Sequence, residues 1–261
     1  MMEYTMTKDF ERLVLDTSDS YHLTFTKNAN LIVDYRTENP LDISLEIDVL
    51  QDANVKILFI NHATCEVKTN EVYHVKKDAN LTVAYCELML NKLQHISKVY
   101  LEETGASAHV HTATVCGDKV SYDILIQHLA PYTYGNTENY GIVMRDANWD
   151  VVVTGQIKRG CYQSKAHQTT RILTLDEKEN VKVLPILLID ENDVEASHAC
   201  SLGQPDENQL YYMQSRGMTR TQAIQLLTVG YLLPIATIID DEAVREEIRD
   251  EIEKKVQLCK M

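Results

Sequence analysis

NANLIVDY (28–35), DANVKILF (52–59) and DANLTVAY (78–85) are one unit written three times, at a period of about 25 residues. Each copy opens on a polar residue, Ala and Asn, then places apolar side chains at every second position. These are Leu31, Val33 and Tyr35, then Val55, Ile57 and Phe59, then Leu81, Val83 and Tyr85. Period two predicts a strand with one face buried. The Asp and Asn corners predict tight turns, because those side chains bond their own backbone. That also reads Asp52 and Asp78 as turn formers rather than as catalytic acids. A weaker copy, TGASAHVH, begins at Thr104, and DANWDVVV (146–153) and KENVKVLP (178–185) carry the pattern on. Alternation also runs through Ile43, Leu45, Ile47 and Val49, and through Val120, Tyr122, Ile124, Ile126 and His128. Each repeat therefore holds at least two strands and two turns.

Short repeats of strands without helices imply coils that bury a core only by stacking. The expected fold is mainly β: a parallel β-helix or flattened β-solenoid, right-handed by the general rule for parallel crossovers. No six-residue period is present, which disfavours left-handed hexapeptide helices. A β-sandwich is the competing architecture.

From Gln204 the period becomes helical. The reading divides the chain into a lead-in over 1–20, a β-helix core over 21–203 and a helical domain over 204–261. Pro205 suits a first helical turn and Gly217 a left-handed helix end, so a first helix is expected from Pro205 to Arg216. Thr219 and Gln222 have capping-box spacing and open a second helix, which Gly230 and Pro234 weaken. Asp240 and Asp241 begin a last helix with Val244, Ile248, Ile252 and Val256 as its apolar stripe. Its acidic face, with Glu246, Glu247, Asp250 and Glu251, reads as solvated or as a docking surface. Packing of these helices on the solenoid end explains the same pattern.

Over 261 residues the formal charge is −14, which argues against a nucleic-acid binder because little would neutralise phosphates. The first residues lack a basic start and an apolar run, and no stretch has the length of a membrane span. Six cysteines show no CxxC spacing, so reduced thiols in the cytoplasm are expected. Gly155 to Cys161 has the glycine spacing of a phosphate loop but lacks its Lys and Ser/Thr, so no bound nucleotide is expected. GxGxxG, HExxH and GxSxG are absent too.

Chemistry concentrates in DVEASHACSLGQPDENQLYYMQSRG (193–217). Val194, Ala196, His198 and Cys200 share one face of a strand. Imidazole and thiolate suit iron or zinc, although the pair supplies only two ligands and reads equally as a bonded histidine beside a small thiol. His109 with His111, and Cys161 with His167, are weaker candidate pairs. Cys65, Cys86 and Cys116 read as core or strand-face residues, and Cys259 as a terminal thiol without a role.

The same segment resembles the SufB/SufD family, the paired scaffolds of SUF-type iron–sulfur cluster assembly. The resemblance is carried by Pro185, Asp190, Asp193-Val194, Ser197-His198, Gly203, Asp206-Glu207, Gln209, Tyr211-Tyr212, Ser215-Arg216-Gly217, Ala223 and Gly230. Upstream it includes Thr154 to Ile157, Ala166 to Arg171 and Ile172 to Leu175. It spans about Thr154 to Gly230.

The resemblance implies a right-handed parallel β-helix with a C-terminal helical domain. It implies a non-catalytic scaffold whose partners are a SufC-like ABC ATPase and a SufB-like subunit or a second copy of itself. The ATPase contacts would fall on the helices, at Tyr211, Tyr212, Ser215, Arg216 and Gly217. His198 aligns with the family's S-H-G-A histidine, implicated in iron or cluster handling, so His198 and Cys200, with Cys161 third, are the implied contacts for iron or a transient iron–sulfur cluster. Two departures shape the expectation. Thr170 or a neighbour stands where SufB-like members carry a cysteine, which points to SufD. Ser197-His198-Ala199-Cys200 adds a thiol to the motif. The shortness of the chain suggests a compact, self-pairing form without the N-terminal helical domain of longer members. A carbohydrate-active β-helix enzyme and a purely structural solenoid are the rival readings.

Overall fold

The alternating segments pair in parallel, coil upon coil, in the computed structural model, which describes residues 2–6, 8–88, 90–144, 146–175 and 180–258. Sixteen strands are formed by the described residues, and they alternate between two sheets. The odd sheet runs β1 (Met2–Met6), β3 (Asp19–Phe25), β5 (Leu41–Val49), β7 (Val67–Val75), β9 (Leu93–Leu101), β11 (Lys119–His128), β13 (Asn148–Ile157) and β15 (Asn180–Ile189). The even sheet runs β2 (Phe10–Leu15), β4 (Ala29–Tyr35), β6 (Asn54–Asn61), β8 (Asn80–Glu87), β10 (Ser107–Cys116), β12 (Tyr134–Val143), β14 (Lys165–Thr174) and β16 (Glu195–Gly203). Neighbours within each sheet are parallel throughout, which makes the fold a β-solenoid and excludes the antiparallel sandwich. β1 and β2, within the stretch read as a lead-in, form the first coil.

Register turns the repeat into columns. Leu31, Ile57, Val83 and Val110 stack from β4 to β10, and all are buried. Each such aliphatic side chain contributes about 1.5–3 kcal/mol by leaving water. At the corners, Asp52, Asp78 and Gly105 occupy successive left-handed positions with φ of 61°, 53° and 79°. Beside them the asparagines form a ladder. Asn28 Oδ1 accepts from Asn54 N (2.8 Å), and Asn80 Oδ1 accepts from Ser107 Oγ (2.9 Å).

The later copies change sides. The units at 28, 52, 78 and 104 lead into the even sheet, whereas DANWDVVV leads into β13 and KENVKVLP into β15 of the odd sheet. A polar-Ala-Asn corner only makes a turn, so it serves at either edge of a flattened coil. Lys178 and Glu179 of the last copy lie outside the described residues.

The interior is not wholly apolar. Glu71 of β7 is fully buried and accepts from the hydroxyls of Tyr73 (2.6 Å), Tyr35 (3.4 Å) and Tyr85. Burial pushes its carboxyl up to about 7. Glu87 accepts from Asn61 Nδ2 (2.7 Å), and burial pushes it up to about 8. Keeping such acids neutral avoids the cost of a charge without solvent.

Helix α1 (Glu207–Ser215) begins two residues after Pro205, because the Asp206 carboxylate caps it by accepting from Asn208 N (2.7 Å). Gly217 ends it at φ 94°. Helix α2 (Arg220–Leu232) opens on the expected capping box between Thr219 and Gln222. Pro234 then starts a 3-10 turn, Leu233–Thr237. Helix α3 (Glu242–Leu258) buries Val244, Ile248, Ile252 and Val256. They pack on Ile32, Leu58, Ile60 and Ala84, the outer face of the even sheet. The helices therefore return along the flank of the solenoid rather than capping its end. The acidic face of α3 is divided: Glu246 and Asp250 are exposed, whereas Glu247 and Glu251 turn to Arg12 and His62 of the first coils.

Candidate functional site

β15 and β16 form the last coil, and each is the final strand of its sheet. β16 is held by β14 in continuous register from Lys165–Glu195 to Leu173–Gly203. Ala196, His198, Cys200 and Leu202 lie beside Ala166, Gln168, Thr170 and Ile172, all buried, so they continue the solenoid's inner face. With no coil stacked beyond, every residue of β16 is exposed. Opposite, Val181, Val183, Leu187 and Ile189 of β15 are half-buried. The chain thus ends its solenoid on an open apolar mouth that holds one imidazole and one thiol.

Buried polar groups lead to that mouth. Thr112 Oγ1 donates to Asn139 Oδ1 (3.1 Å), and Asn139 Nδ2 donates to Thr170 Oγ1 (3.2 Å). Thr170 is the register neighbour of Cys200. Next to His198 stands Gln168, whose Nε2 donates to Ile186 O (3.0 Å) while its buried Oε1 has no partner among the described residues. Sequence reading did not name Asn139, and it named Gln168 and Thr170 only through the resemblance; register alone brings the three beside the site. Desolvation by the neighbouring strand moves the exposed Cys200 thiol up from its usual value, which favours the protonated form.

The other candidates separate. Cys161 is buried at the corner before β14, under Leu187, Ile189 and Val194, and its thiol donates to His128 O (3.3 Å). Burial pushes that thiol up as well. His167 faces outward, with Nδ1 2.7 Å from Ser197 Oγ, so it does not pair with Cys161. His109 and His111 share the outer face of β10, their rings parallel with centroids 6.2 Å apart. His111 Nδ1 lies 3.0 Å from Glu138 Oε2 and lines a cavity of about 210 Å³ beneath Tyr231 and Ile235. Cys86 and Cys116 are buried, Cys65 is half-buried, and Cys259 lies outside the described residues.

On α1 the side chains sort by face. Leu210 is buried, whereas Tyr211 and Tyr212 are 75% and 59% exposed. The Arg216 guanidinium lies 5.3 Å over the Tyr212 ring, and Ser215 Oγ donates to Tyr212 O (2.6 Å). Gly217 turns the chain straight afterwards. Tyr211, Tyr212, Ser215 and Arg216 thereby form one exposed aromatic and cationic surface. Among the described residues no helix is long and apolar enough to cross a membrane.

Comparison with known proteins fits this geometry. The model of the family described as "SUF system FeS cluster assembly, SufBD core domain" matches residues 4–231. The iron–sulfur cluster assembly protein SufD of Bacillus subtilis is 36% identical over 132 residues, which is 51% of this chain and 30% of that protein. An iron–sulfur cluster assembly SufBD family protein of Mycobacterium tuberculosis is 24% identical over 203 residues, 72% of this chain and 24% of its own length. An Arabidopsis thaliana protein, ABCI7 of the chloroplast, is 20% identical over 213 residues, 80% of this chain and 45% of that one. The chain spans less than half the length of each of these relatives. With the core-domain model covering most of its solenoid and reaching into α2, the chain belongs to the SufBD family of SUF-type iron–sulfur cluster assembly proteins.

Proposed function

We propose that this chain is a non-catalytic, cytoplasmic scaffold or accessory subunit of iron–sulfur cluster assembly, closer to SufD than to SufB. It works with a SufC-like ABC ATPase and pairs with a SufB-like subunit or with a second copy of itself. The observation that carries the reading is the open last coil, where His198 and Cys200 stand exposed on an inner face that no further coil covers. Unpaired strand edges beside apolar surface favour association with another sheet. Pairing there would enclose His198 and Cys200 between subunits, where iron or a nascent cluster is the cargo.

The exposed surface of α1 supports a separate contact. Tyr211, Tyr212 and Arg216 are the residue types that concentrate binding energy at interfaces, and they sit on a helix already fixed by its own caps. The ATPase would bind there and supply the nucleotide hydrolysis.

Anaerobic co-purification of the chain from its native cells tests the reading. An ABC ATPase and a second SufB/SufD-like chain, or a dimer of this one, are expected in the eluate with iron. A His198→Ala/Cys200→Ala variant is expected to keep both partners while losing iron. Iron retained in full by that variant would remove the site, and a lone monomer would remove the partnership.

A further inference from the structure

A second cluster of ligating groups lies far along the chain from β16, where α3 meets the first coils. Asp34 of β4 is fully buried, and its Oδ1 lies 2.6 Å from Nδ1 of His62, just beyond β6. That bond fixes the ring and turns Nε2 towards α3. There Glu251 Oε1 lies 2.5 Å away, and Glu247 stands one helical turn earlier on the same face. One ligating atom from each of His62, Glu247 and Glu251 can be chosen so that all three lie within 4.8 Å of one another. We propose that His62, Glu247 and Glu251 bind a divalent first-row metal ion, which clips helix α3 to the first coils of the solenoid.

Four features point to a metal ion rather than to chance proximity. Ligands at about 2.0–2.2 Å from one ion stand some 3–4 Å apart, so small side-chain adjustments suffice. A buried carboxylate on the far nitrogen of a ligating histidine is the common outer partner of metal sites, because it fixes both ring orientation and tautomer. Arg12, which holds Glu247 through Nη2 and Oε1 at 2.6 Å, also has Asp34 Oδ2 at 2.8 Å. Glu247 can therefore turn to an ion without leaving the guanidinium unpaired. The cluster is also within reach of solvent, since the side chains of His62, Glu247 and Glu251 are 23%, 28% and 25% exposed.

One imidazole and two carboxylates suit Zn²⁺, Mn²⁺ or Fe²⁺, and water completes the coordination. Without the ion a proton takes its place: His62, bonded to Asp34 and Glu251, is raised to about 9. The site is independent of cluster handling at β16. None of its ligands lies on the last coil, and it would stand whether or not His198 and Cys200 carry iron.

Co²⁺ titration of the full chain under anaerobic conditions tests the proposal, with Zn²⁺ as competitor. The expected result is one Co²⁺ at this site per chain, with visible bands that persist in His198→Ala/Cys200→Ala and there show no thiolate charge-transfer band, displaced by Zn²⁺, together with a rise in thermal midpoint. Glu251→Gln and His62→Gln should weaken binding at least tenfold and abolish the midpoint rise, and Asp34→Asn should weaken it about 10–100-fold. His198→Ala/Cys200→Ala should leave it unchanged. Circular dichroism checks that each variant folds. If His62→Gln does not fold, Glu251→Gln, which keeps the histidine and its Asp34 bond, decides the matter. Absence of a bound ion in the parent chain, or binding that survives Glu251→Gln in full, would overturn the assignment.

Discussion

Asp78 Oδ1 stands 2.0 Å from the place that a Cβ on Gly105 would take, so two successive corners share a space that admits one side chain. Gly105 also sits at φ 79°, where an L side chain is strained. Gly105→Ala should destabilise the fold by about 1–3 kcal/mol, read from chemical denaturation. Asp52→Gly, at an equivalent corner, should change stability by about half a kcal/mol or less, since glycine relieves strain there while losing the side chain's turn bonds.

Glu71 gives the solenoid a pH dependence of definite sign. Its folded carboxyl holds a proton up to about 7, whereas the unfolded carboxyl releases it near 4.5. Between those values the folded state binds more protons, so stability falls as pH rises. Glu71→Gln keeps an acceptor for the tyrosines and removes the ionisation. Thermal midpoints at pH 5 and pH 8 should differ less in the variant, and a difference unchanged from the parent would contradict the assignment.

Thr170 links the interior ladder to the open mouth. Thr170→Val removes the acceptor of Asn139 Nδ2 at a buried position and should cost about 1–3 kcal/mol. Denaturant midpoints of Thr170→Val and Thr170→Ser measure this, and serine should restore most of the loss because it returns the hydroxyl.

The flank of the solenoid depends on the α3 stripe. Ile248 is fully buried against the even sheet, and Ile248→Ala should cost about 2–5 kcal/mol. The loss should appear first as proteolytic cleavage within 240–258, with the strands still protected. Simultaneous loss of both regions would mean that α3 and the coils unfold as one unit.

If the two proposed surfaces are separate, Tyr211→Ala/Tyr212→Ala should lose the ATPase at least tenfold while preserving subunit pairing. Leu202→Asp, at the open mouth, should do the reverse. Pull-down of each variant with both partners measures this, and a shared loss would merge the two surfaces into one.

Much of the architecture was legible because the repeat carries two signals at once. Leu31, Val33 and Tyr35 give the strand face, and the Asn and Asp corners give the turns. The change of sheet at DANWDVVV was not legible, since the corner has the same chemistry on either edge. The stripe Val244 to Val256 announced a buried face, but amphipathicity does not name the surface that buries it. His198 and Cys200 could be placed on one face by counting in twos. Their neighbours Gln168 and Thr170 needed the register of β14 on β16, which no local pattern encodes. Glu247 and Glu251 were read with Glu246 and Asp250 as one acidic face, because Arg12 and His62 are distant in sequence.

The C-terminal segment also sets a length. Leaving the last coil, the chain lays α2 against β12, the 3-10 turn against β10 and β8, and α3 against the coils that carry Arg12 and His62. Stacked coils by themselves have no natural stopping number, since each recognises only its neighbours. This strap fixes the number between its two anchors. Adding or deleting a single turn between His62 and the last coil would carry Arg12 and His62 out of reach of Glu247 and Glu251, so the helical return gauges the number of coils that separate its two anchors.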